Sequence, residues 1–285
     1  MAKLLDGREV TAALKTKHLS AVAELAARGI FPNLAIVRIG EREDDVAYEK
    51  GAVKRCEAVN VAVRKFSFSP EVSQEEVIEL IGNINGDASI HGALLFRPFP
   101  KHMDEDKICN ALSTEKDVDG ITDGSLAGVF SGRPRGFAPC TARACMAILE
   151  HFGVELKGKR IAVIGRSLVV GKPVSMMLMG GHATVTVCHT RTIDMPAVCR
   201  DAEILIVAAG RAKVIDRSFC SPGQIVIDVG INIDEAGNLC GDVDFKDCEP
   251  VVGAITPVPG GVGTVTTSIL VEHVIEAARG KGCNR

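Results

Sequence analysis

Short runs of apolar residues recur through the second half of the chain, separated by segments long enough for a helix. Ile161–Ile164 has the pattern of a buried strand, because the run is too short for a helix and glycines stand on both sides. Three further predicted strands follow: the alternating stretch Thr184–Cys188 and the apolar runs Ile204–Ala208 and Gln224–Val229. Strands that alternate with helix-length segments are joined by right-handed crossovers, so the pattern predicts an α/β domain with a mostly parallel sheet.

The first half of the chain shows the same alternation and predicts a β/α domain of its own. Its predicted strands are Leu34–Ile39, Val61–Phe68 and Gly92–Phe96, and helical periodicity begins near residues 10, 45, 73 and 104. The pairs Asp6–Glu9 and Ser73–Glu76 have the spacing of capping boxes at helix starts.

The expected boundary between the two domains lies near residue 140. A Gly/Pro-rich stretch, Gly128–Pro139, ends the first half, and a predicted helix over Thr141–Phe152 leads to the second. A glycine-rich loop, Thr256–Thr264, precedes a last helix from Val265 to Arg279. With 285 residues the chain is long enough for two domains, which we place at residues 1–140 and 141–264.

The stretch Gly165-Arg-Ser-Leu-Val-Val-Gly171 follows the first strand of the second domain. Gly165 permits a turn that a side chain would obstruct, Gly171 lets the backbone approach a ligand, and Pro173 suits a first helical turn. Free N–H groups and the helix dipole at such a start form a seat for a phosphate. The spacing differs from G-x-G-x-x-G, so alone it also fits an ordinary strand–loop–helix corner. The accompanying parallel strands favour a dinucleotide-binding domain.

Composition argues against several classes of protein. The formal net charge of −3 gives no reason to expect a nucleic-acid partner, and no apolar run approaches the roughly 18 residues of a membrane span. Ten cysteines without paired spacing, and a start that lacks the pattern of a secretory signal, predict reduced thiols in the cytoplasm. No His/Cys/Asp cluster has metal-ligand spacing, and His189 is expected to be a hydrogen-bonded strand-end residue.

Several motifs occur in order along the chain: Val37-Arg-Ile-Gly40 with Tyr48, Pro98-Phe-Pro100, Lys116-Asp-Val-Asp-Gly120, Gly165-Arg-Ser167 with Val170-Gly-Lys-Pro173, and Pro257-Val-Pro-Gly-Gly-Val-Gly263. In this order the chain resembles the methylenetetrahydrofolate dehydrogenase/cyclohydrolase family from end to end. The resemblance implies an N-terminal folate-binding domain, a Rossmann-type dinucleotide-binding domain, a folate in the cleft between them, and a homodimer. It also implies that the C-terminal segment 265–285 packs back on the first domain.

The resemblance implies an activity and roles for individual residues. The activity is oxidation of 5,10-methylenetetrahydrofolate to the methenyl form by hydride transfer to a nicotinamide, in the one-carbon metabolism that supplies purine biosynthesis. Tyr48 matches the aromatic on which the benzoyl portion of the substrate stacks, and Asp119 matches the carboxylate that grips the pterin. The other implied substrate residues are Phe96, Pro98, Pro259, Gly260 and Gly261, and the implied cofactor residues of the glycine turn are Gly165, Arg166, Ser167, Val170, Gly171 and Pro173. Tyr48 could instead be a partly buried core tyrosine, and Asp119 could instead be a turn aspartate. Asp117 fits the turn role better than Asp119 does.

Two positions depart from the family pattern. The lysine credited with hydrolysis of methenyl- to 10-formyltetrahydrofolate is here Ala52, and the glutamine expected to contact it is Phe96. On a helix Lys50 and Lys54 point roughly 160° away from Ala52, and the guanidinium of Arg55 cannot relay a proton. We therefore predict a dehydrogenase with weak or absent cyclohydrolase activity. A fully bifunctional enzyme and a catalytically silent folate- or nucleotide-binding protein are the alternatives.

The end of the second strand of the dinucleotide domain bears on which nicotinamide binds. NAD-binding domains usually carry an acid there, whereas this strand ends Cys188-His-Thr-Arg-Thr192 with no acid before Asp194. Thr190 and Arg191, helped by Arg166 across the turn, suit a 2′-phosphate. NADP is therefore the predicted cofactor. NAD is the alternative, in which case Arg191 simply faces solvent.

Overall fold

The computed structural model describes residues 1–280, so the last residues of the expected segment 265–285 lie outside the described part. The chain divides into two compact units: Met1–Ala12 with Thr141–Thr266, and Ala13–Cys140 with the chain from Thr267 onward. We refer to them by their main sheets as the six-stranded unit and the three-stranded unit. The boundary predicted from the sequence places residues 1–12 in the N-terminal domain. In the structure Lys3–Leu4 instead pairs with Ala254–Ile255 in the six-stranded sheet.

The helices and strands alternate along most of the chain. In order they are β1 (Lys3–Leu4), α1 (Gly7–Ala26), β2 (Asn33–Ile39), α2 (Glu43–Glu57), β3 (Ala62–Phe68), α3 (Gln74–Gly86), β4 (Gly92–Leu95), α4 (Glu105–Ala111), α5 (Asp123–Ser131), α6 (Cys140–His151), β5 (Arg160–Ile164), α7 (Gly171–Gly180), β6 (Thr184–Cys188), α8 (Met195–Arg200), β7 (Ile204–Val207), β8 (Ile225–Asp228), β9 (Asn232–Ile233), β10 (Leu239–Cys240), α9 (Phe245–Cys248), β11 (Ala254–Ile255) and α10 (Val262–Ala278). No helix within residues 1–280 combines the length and apolar character that crossing a membrane requires.

The six-stranded sheet has the order β1-β11-β8-β7-β5-β6, and its pairings are parallel. Ile164 is level with Cys188 in β6 and with Val207 in β7, so the carboxyl ends of these strands meet at one edge. β7 is buried along its whole length, and each fully buried Val or Ile side chain stabilises the fold by about 1.5–3 kcal/mol. The predicted α/β architecture with a mostly parallel sheet is confirmed.

The three-stranded sheet has the order β3-β2-β4 and is also parallel. Side chains from β2 and β4 pack with α3 and α4 in one buried cluster that includes Ala35, Leu95, Ile81 and Ile108. Beyond α4 the chain runs alongside β4, where the Ala93 N–H donates to the Lys116 carbonyl at 2.8 Å. Residues that follow Lys116 therefore approach the carboxyl end of β4.

Helix starts show which capping predictions hold. The capping box before α3 is confirmed, because the Glu76 N–H donates to Ser73 Oγ at 3.2 Å and the Ser73 N–H donates to the Glu76 carboxylate at 3.1 Å. At α1 the cap differs from the predicted Asp6–Glu9 box. The Asp6 carboxylate accepts the N–H of Arg8 at 2.8 Å, and the guanidinium of Arg8 pairs with the same carboxylate.

The Gly/Pro-rich stretch expected from Gly128 begins inside a helix. The side chain of Thr122 caps α5, and Gly132, with φ 66° in the left-handed region, ends it. A Cβ at Gly124 would lie 2.3 Å from Thr114 Oγ1, so this glycine permits close packing of a helix. Local composition indicates a loop here, whereas the tertiary contact explains why a helix contains glycine.

Candidate active site

Tyr48 lies on α2 of the three-stranded unit, half-buried, and its ring contacts the ring of Phe96. The ring centroids are 5.8 Å apart and the planes meet at 81°, an edge-to-face contact of the kind aromatic pairs prefer. The next residue, Glu49, anchors α2 to the sheet through ion pairs with Arg38 at 2.8 Å and Lys65 at 2.9 Å. These contacts orient Tyr48 while leaving part of its ring accessible to a ligand.

Asp119 is half-buried in the segment that runs alongside β4. Burial and the neighbouring Asp117 raise the pKa of Asp119 to about 6, while Arg97 and a hydrogen bond with Cys140 act in the opposite direction. Asp117 has a structural role, because its carboxylate accepts the backbone N–H groups of residues 121 and 122 at 3.0 and 2.8 Å. Asp117 is thus the turn aspartate, as its position in the sequence predicts.

Tyr48 and Asp119 lie within electrostatic reach of each other. Burial, and after it the charge of Asp119, raises the pKa of Tyr48 well above its ordinary value. Near neutral pH the tyrosine is therefore a neutral phenol, whereas Asp119 is largely ionised above about pH 6. The charge of Asp119 therefore acts on Tyr48 within the three-stranded unit.

Two apolar residues lie near Tyr48, one of them a turn further along α2 and the other just after β4. Ala52 is 0% exposed and Phe96 is 8% exposed. Lys50 and Lys54 are exposed to solvent, and burial lowers the pKa of the half-buried Arg55. Of these basic neighbours on α2, none takes up the position that the family lysine would occupy.

The two glycines of the β5–α7 turn are both required, for different reasons. Gly165 has φ +123°, and a Cβ there would lie 2.2 Å from the carbonyl oxygen of Ala208, so the expected turn role is correct. At Gly171 a Cβ would lie 2.1 Å from the carbonyl oxygen of Gly165. The close contact with the Gly165 carbonyl thus requires a glycine at position 171, whether or not a ligand approaches the backbone there.

The start of α7 offers fewer free donors than the sequence suggested. The Lys172 N–H donates to the Ser167 carbonyl at 3.0 Å, and Pro173 has no N–H to offer. Ser167 Oγ accepts the Val170 N–H at 3.1 Å, which shapes the exposed loop. An anion-binding site at this position would depend on the N–H groups of the loop and on the helix dipole.

Thr190 and Arg191 are exposed just beyond the end of β6, and Arg166 is exposed in the β5–α7 turn. The backbone N–H of Arg191 donates to His189 Nδ1 at 3.1 Å, which confirms His189 as a hydrogen-bonded strand-end residue. The carboxylate of Asp194 accepts a backbone N–H as the cap of α8. This acid is therefore committed to a helix start, and the exposed charged groups beside the turn include Arg166, Lys172 and Arg191.

The predicted substrate residues Pro259, Gly260 and Gly261 belong to the six-stranded unit. The Gly260 carbonyl accepts the Gly7 N–H at 2.8 Å, and a Cβ at Gly261 would lie 2.4 Å from the Pro257 carbonyl oxygen. Gly260 also has φ +110°. Both glycines are needed for the path of the loop, and Pro259 is its exposed member.

Two buried acids near the carboxyl edge of the six-stranded sheet escaped the sequence-based prediction. Asp228, the last residue of β8, accepts the N–H groups of Gly230, Asp242 and Val243 at 2.9, 3.1 and 3.0 Å. Asp242 accepts the N–H groups of Gly210 and Arg211 at 2.8 and 2.9 Å and the side-chain amide of Asn232 at 2.9 Å. Two features of the sequence could have indicated them: Asp228 follows a short apolar run, and Asp242 follows Gly241. Within residues 1–280 no group of three or more His, Cys, Asp or Glu side chains is placed to hold a metal.

Two protein-family models match the chain. One, described as "Tetrahydrofolate dehydrogenase/cyclohydrolase, catalytic domain", matches residues 5–119, which include Tyr48 and Asp119. The other, described as "Tetrahydrofolate dehydrogenase/cyclohydrolase, NAD(P)-binding domain", matches residues 139–282, which include the β5–α7 turn.

Individual proteins match the chain over nearly its whole length. The bifunctional protein FolD of Carboxydothermus hydrogenoformans is 49% identical over 97% of both chains. Among solved structures, the bifunctional enzyme FolD of Campylobacter jejuni has a TM-score of 0.95 and 35% identity, covering 98% of this chain and 99% of that one. The dehydrogenase-cyclohydrolase FolD of Trypanosoma brucei, complexed with NADP cofactor and inhibitor, has a TM-score of 0.91 and 32% identity, covering 98% and 97%. The chain therefore belongs to the tetrahydrofolate dehydrogenase/cyclohydrolase family.

Proposed function

We propose that this protein oxidises 5,10-methylenetetrahydrofolate to 5,10-methenyltetrahydrofolate with NADP, and that its cyclohydrolase activity is weak or absent. Family membership supports the dehydrogenase activity and the folate substrate. A nicotinamide, when bound, supplies the hydride acceptor. The protein's own contribution to this step is binding and orientation, because hydride transfer needs no acid or base at the reacting carbon.

Two side chains of the three-stranded unit are the proposed substrate anchors. Above about pH 6 the ionised Asp119 accepts hydrogen bonds from the N–H donors of the pterin. The half-buried ring of Tyr48 offers a face for the benzoyl portion, with Phe96 supporting it from the side. Phe96, Pro98 and Pro259 are the proposed apolar neighbours of the substrate.

The observation that carries the proposed loss of hydrolysis is the buried apolar pair Ala52 and Phe96 beside Tyr48. Hydrolysis of the methenyl group needs an activated water and a proton relay, and a positioned relay is worth about 10²–10⁴-fold in rate. A buried methyl group and a phenyl ring supply neither. Hydride transfer requires neither group and is retained.

A fully bifunctional enzyme is the second candidate. The curated relatives that match the chain include proteins named as bifunctional. Asp119, with its pKa raised to about 6, is also poised to exchange a proton near neutral pH. This candidate requires Asp119 or a water to replace the missing lysine.

The deciding experiment assays both reactions on the purified protein. We expect reduced-cofactor absorbance with the methylene substrate, and hydrolysis of the methenyl substrate at least about 100-fold slower than in the variant carrying both Ala52→Lys and Phe96→Gln. Both changes are made together because the family resemblance pairs the lysine with the glutamine, so the double variant restores both polar groups. Ala47→Lys, at an exposed position of the same helix, is the matched control and should not restore hydrolysis. Parent hydrolysis as fast as hydride transfer supports the bifunctional enzyme, and absence of hydride transfer supports a silent binding protein.

The choice of NADP rests on the charges near the β5–α7 turn. Arg166 and Arg191 are exposed there, and Asp194 is occupied as a helix cap. We expect Arg191→Ala to raise the KM for NADP about tenfold or more, since it removes a charged partner of the 2′-phosphate, and to leave the KM for NAD unchanged. Arg217→Ala, in an exposed ion pair with Asp247, is the control. Equal effects on the two dinucleotides would count against NADP specificity.

We also infer a homodimer in the cytoplasm. The homodimer rests on the family resemblance, and light scattering of the purified protein tests it. Nine cysteines within the described residues 1–280 are free and buried, as expected for a protein from a reducing compartment.

A further inference from the structure

Cys140 and His273 are buried next to Val118, the residue before Asp119. The proposed chemistry does not use them directly. Cys140 is 1% exposed at the start of α6, and His273 is 3% exposed on α10. The His273 Nδ1 atom is 2.8 Å from the carbonyl oxygen of Val118 and 3.7 Å from Cys140 Sγ. Both side chains thus contact the residue that immediately precedes Asp119.

The contact with Val118 determines which nitrogen of His273 carries a proton. A carbonyl oxygen only accepts, so the 2.8 Å contact requires a hydrogen on Nδ1. The ring of Phe137, which is fully buried, packs on the imidazole with centroids 4.9 Å apart and planes tilted by 34°. His273 is therefore held in one tautomer and one orientation, and it fixes the carbonyl of Val118.

Cys140 has one thiol hydrogen and two nearby acceptors. Its Sγ is 3.3 Å from the Val118 carbonyl oxygen, and it is also within hydrogen-bonding reach of the Asp119 carboxylate. The Val118 carbonyl can accept from both His273 and Cys140, and the Asp119 carboxylate competes for the thiol hydrogen because an anion is the stronger acceptor. Burial and the charge of Asp119 raise the pKa of Cys140 well above its ordinary value, so the thiol keeps this hydrogen.

We propose that Cys140 and His273 are positioning residues that hold Val118 and Asp119 so that the Asp119 carboxylate meets the substrate in one orientation. This inference rests on the proposed function of Asp119 as the pterin-binding group. Several other groups act on the local charge. Asp117 disfavours the ionisation of Asp119, whereas Arg97 favours it. The charge of Asp119 raises the pKa of Tyr48 on α2, and the charge of Glu272 on α10 raises the pKa of Cys140. Each of them is unchanged in the variants that follow.

The test compares pH profiles of kcat/KM for the folate substrate. The parent profile should fall below about pH 6, where Asp119 becomes protonated. Cys140→Ala removes a donor to the ionised carboxylate, so its acidic limb should move to higher pH and the folate KM should rise about tenfold. Cys140→Ser keeps a donor and should move the limb less. Cys145→Ala is the matched control, because this buried thiol on the same helix donates to the Thr141 carbonyl, and its limb should coincide with that of the parent.

His273 gives an independent pair of variants. His273→Leu removes the donor to Val118 and should raise the folate KM, whereas His273→Asn retains an N–H near the same place and should raise it less. This pair decides the question if Cys140→Ala does not fold. The proposal is overturned if Cys140→Ala and His273→Leu keep the acidic limb and the folate KM of the parent. It is also overturned if Cys145→Ala changes the limb and the KM as much as Cys140→Ala does. Failure of the proposed function is distinguishable, because Asp119→Asn would then retain parent kcat/KM.

Discussion

The backbone N–H of Asp242 donates to the carboxylate of Asp228 at 3.1 Å, joining two buried acids at the carboxyl edge of the six-stranded sheet. Asp242 in turn binds the N–H groups of Gly210 and Arg211, which follow β7. The loops at this edge are therefore held together by carboxylates. In parallel α/β sheets this is the edge where ligands bind, so the arrangement bears on cofactor binding as well as on stability.

Asp228→Asn should destabilise the protein by about 1–3 kcal/mol. Both carboxylate oxygens of Asp228 accept backbone N–H groups, so the amide NH2 of asparagine would place one donor against another. The variant should also change the pH dependence. Burial raises the pKa of Asp228 from 3.8 to about 6, so the folded state binds this proton more tightly than the unfolded state does. Stability due to Asp228 therefore falls as pH rises from about 4 to about 6, and the asparagine variant should lack that slope. Urea unfolding of parent and variant at pH 5 and pH 7 measures both effects.

Glu49→Gln should cost about 3 kcal/mol of stability, because it leaves the nearly buried Arg38 without its carboxylate partner. Burial raises the pKa of Glu49, but hydrogen bonds from Arg38 and Lys65 prevail and lower it overall. The stabilisation is thus present above the unfolded pKa of about 4.5 and is lost as pH falls through the lower folded value.

Thermal unfolding at pH 7 gives the comparison for Glu49. Arg64→Ala, which breaks the exposed pair with Asp87, is the control and should cost no more than about 1 kcal/mol. Because Glu49 anchors the helix that carries Tyr48, we also expect a higher folate KM in Glu49→Gln. Equal losses of stability in the two variants would contradict the role assigned to Glu49.

Gly171→Ala should destabilise the β5–α7 turn by about 1–3 kcal/mol and weaken NADP binding, because its Cβ would meet the Gly165 carbonyl oxygen at 2.1 Å. Gly180→Ala, at the other end of the same helix, has open space around the new Cβ and should be neutral or slightly stabilising. Calorimetric titration with NADP and thermal unfolding separate the two variants. A tolerated alanine at position 171 would show that the loop can shift its backbone.

Asp119→Asn should lower kcat/KM for the folate substrate by on the order of 10–100-fold, since hydrogen bonds to an ionised group are lost. The parent should lose activity below about pH 6 as its carboxylate becomes protonated. The asparagine variant should lose that dependence. Steady-state rates between pH 5 and 8 check both points, and Asp106→Asn, an exposed acid on α4, is the control.

The elements that sequence patterns predicted well are those with local causes. Thr184–Cys188 is a strand with the predicted bounds, and the Ser73–Glu76 capping box forms as its spacing indicates. The reason for Gly171 and the glycine-containing helix α5 were harder to foresee. Gly171 is required by the carbonyl of Gly165 within its own loop, and Gly124 of α5 is required by the side chain of Thr114 from the preceding segment.

The amino-acid sequence by itself determined the alternation of the main strands and helices, the mostly parallel sheet of the second half, the family pattern and the apolar residues at positions 52 and 96. These features depend on residue type and on neighbours a few positions away. The tertiary structure alone decided that His273 reaches Val118 across 155 residues of sequence, and that Asp228 and Asp242 join loops after different strands. Hydrogen bonds and pKa shifts depend on distance and burial in space, which periodicity along the chain does not specify.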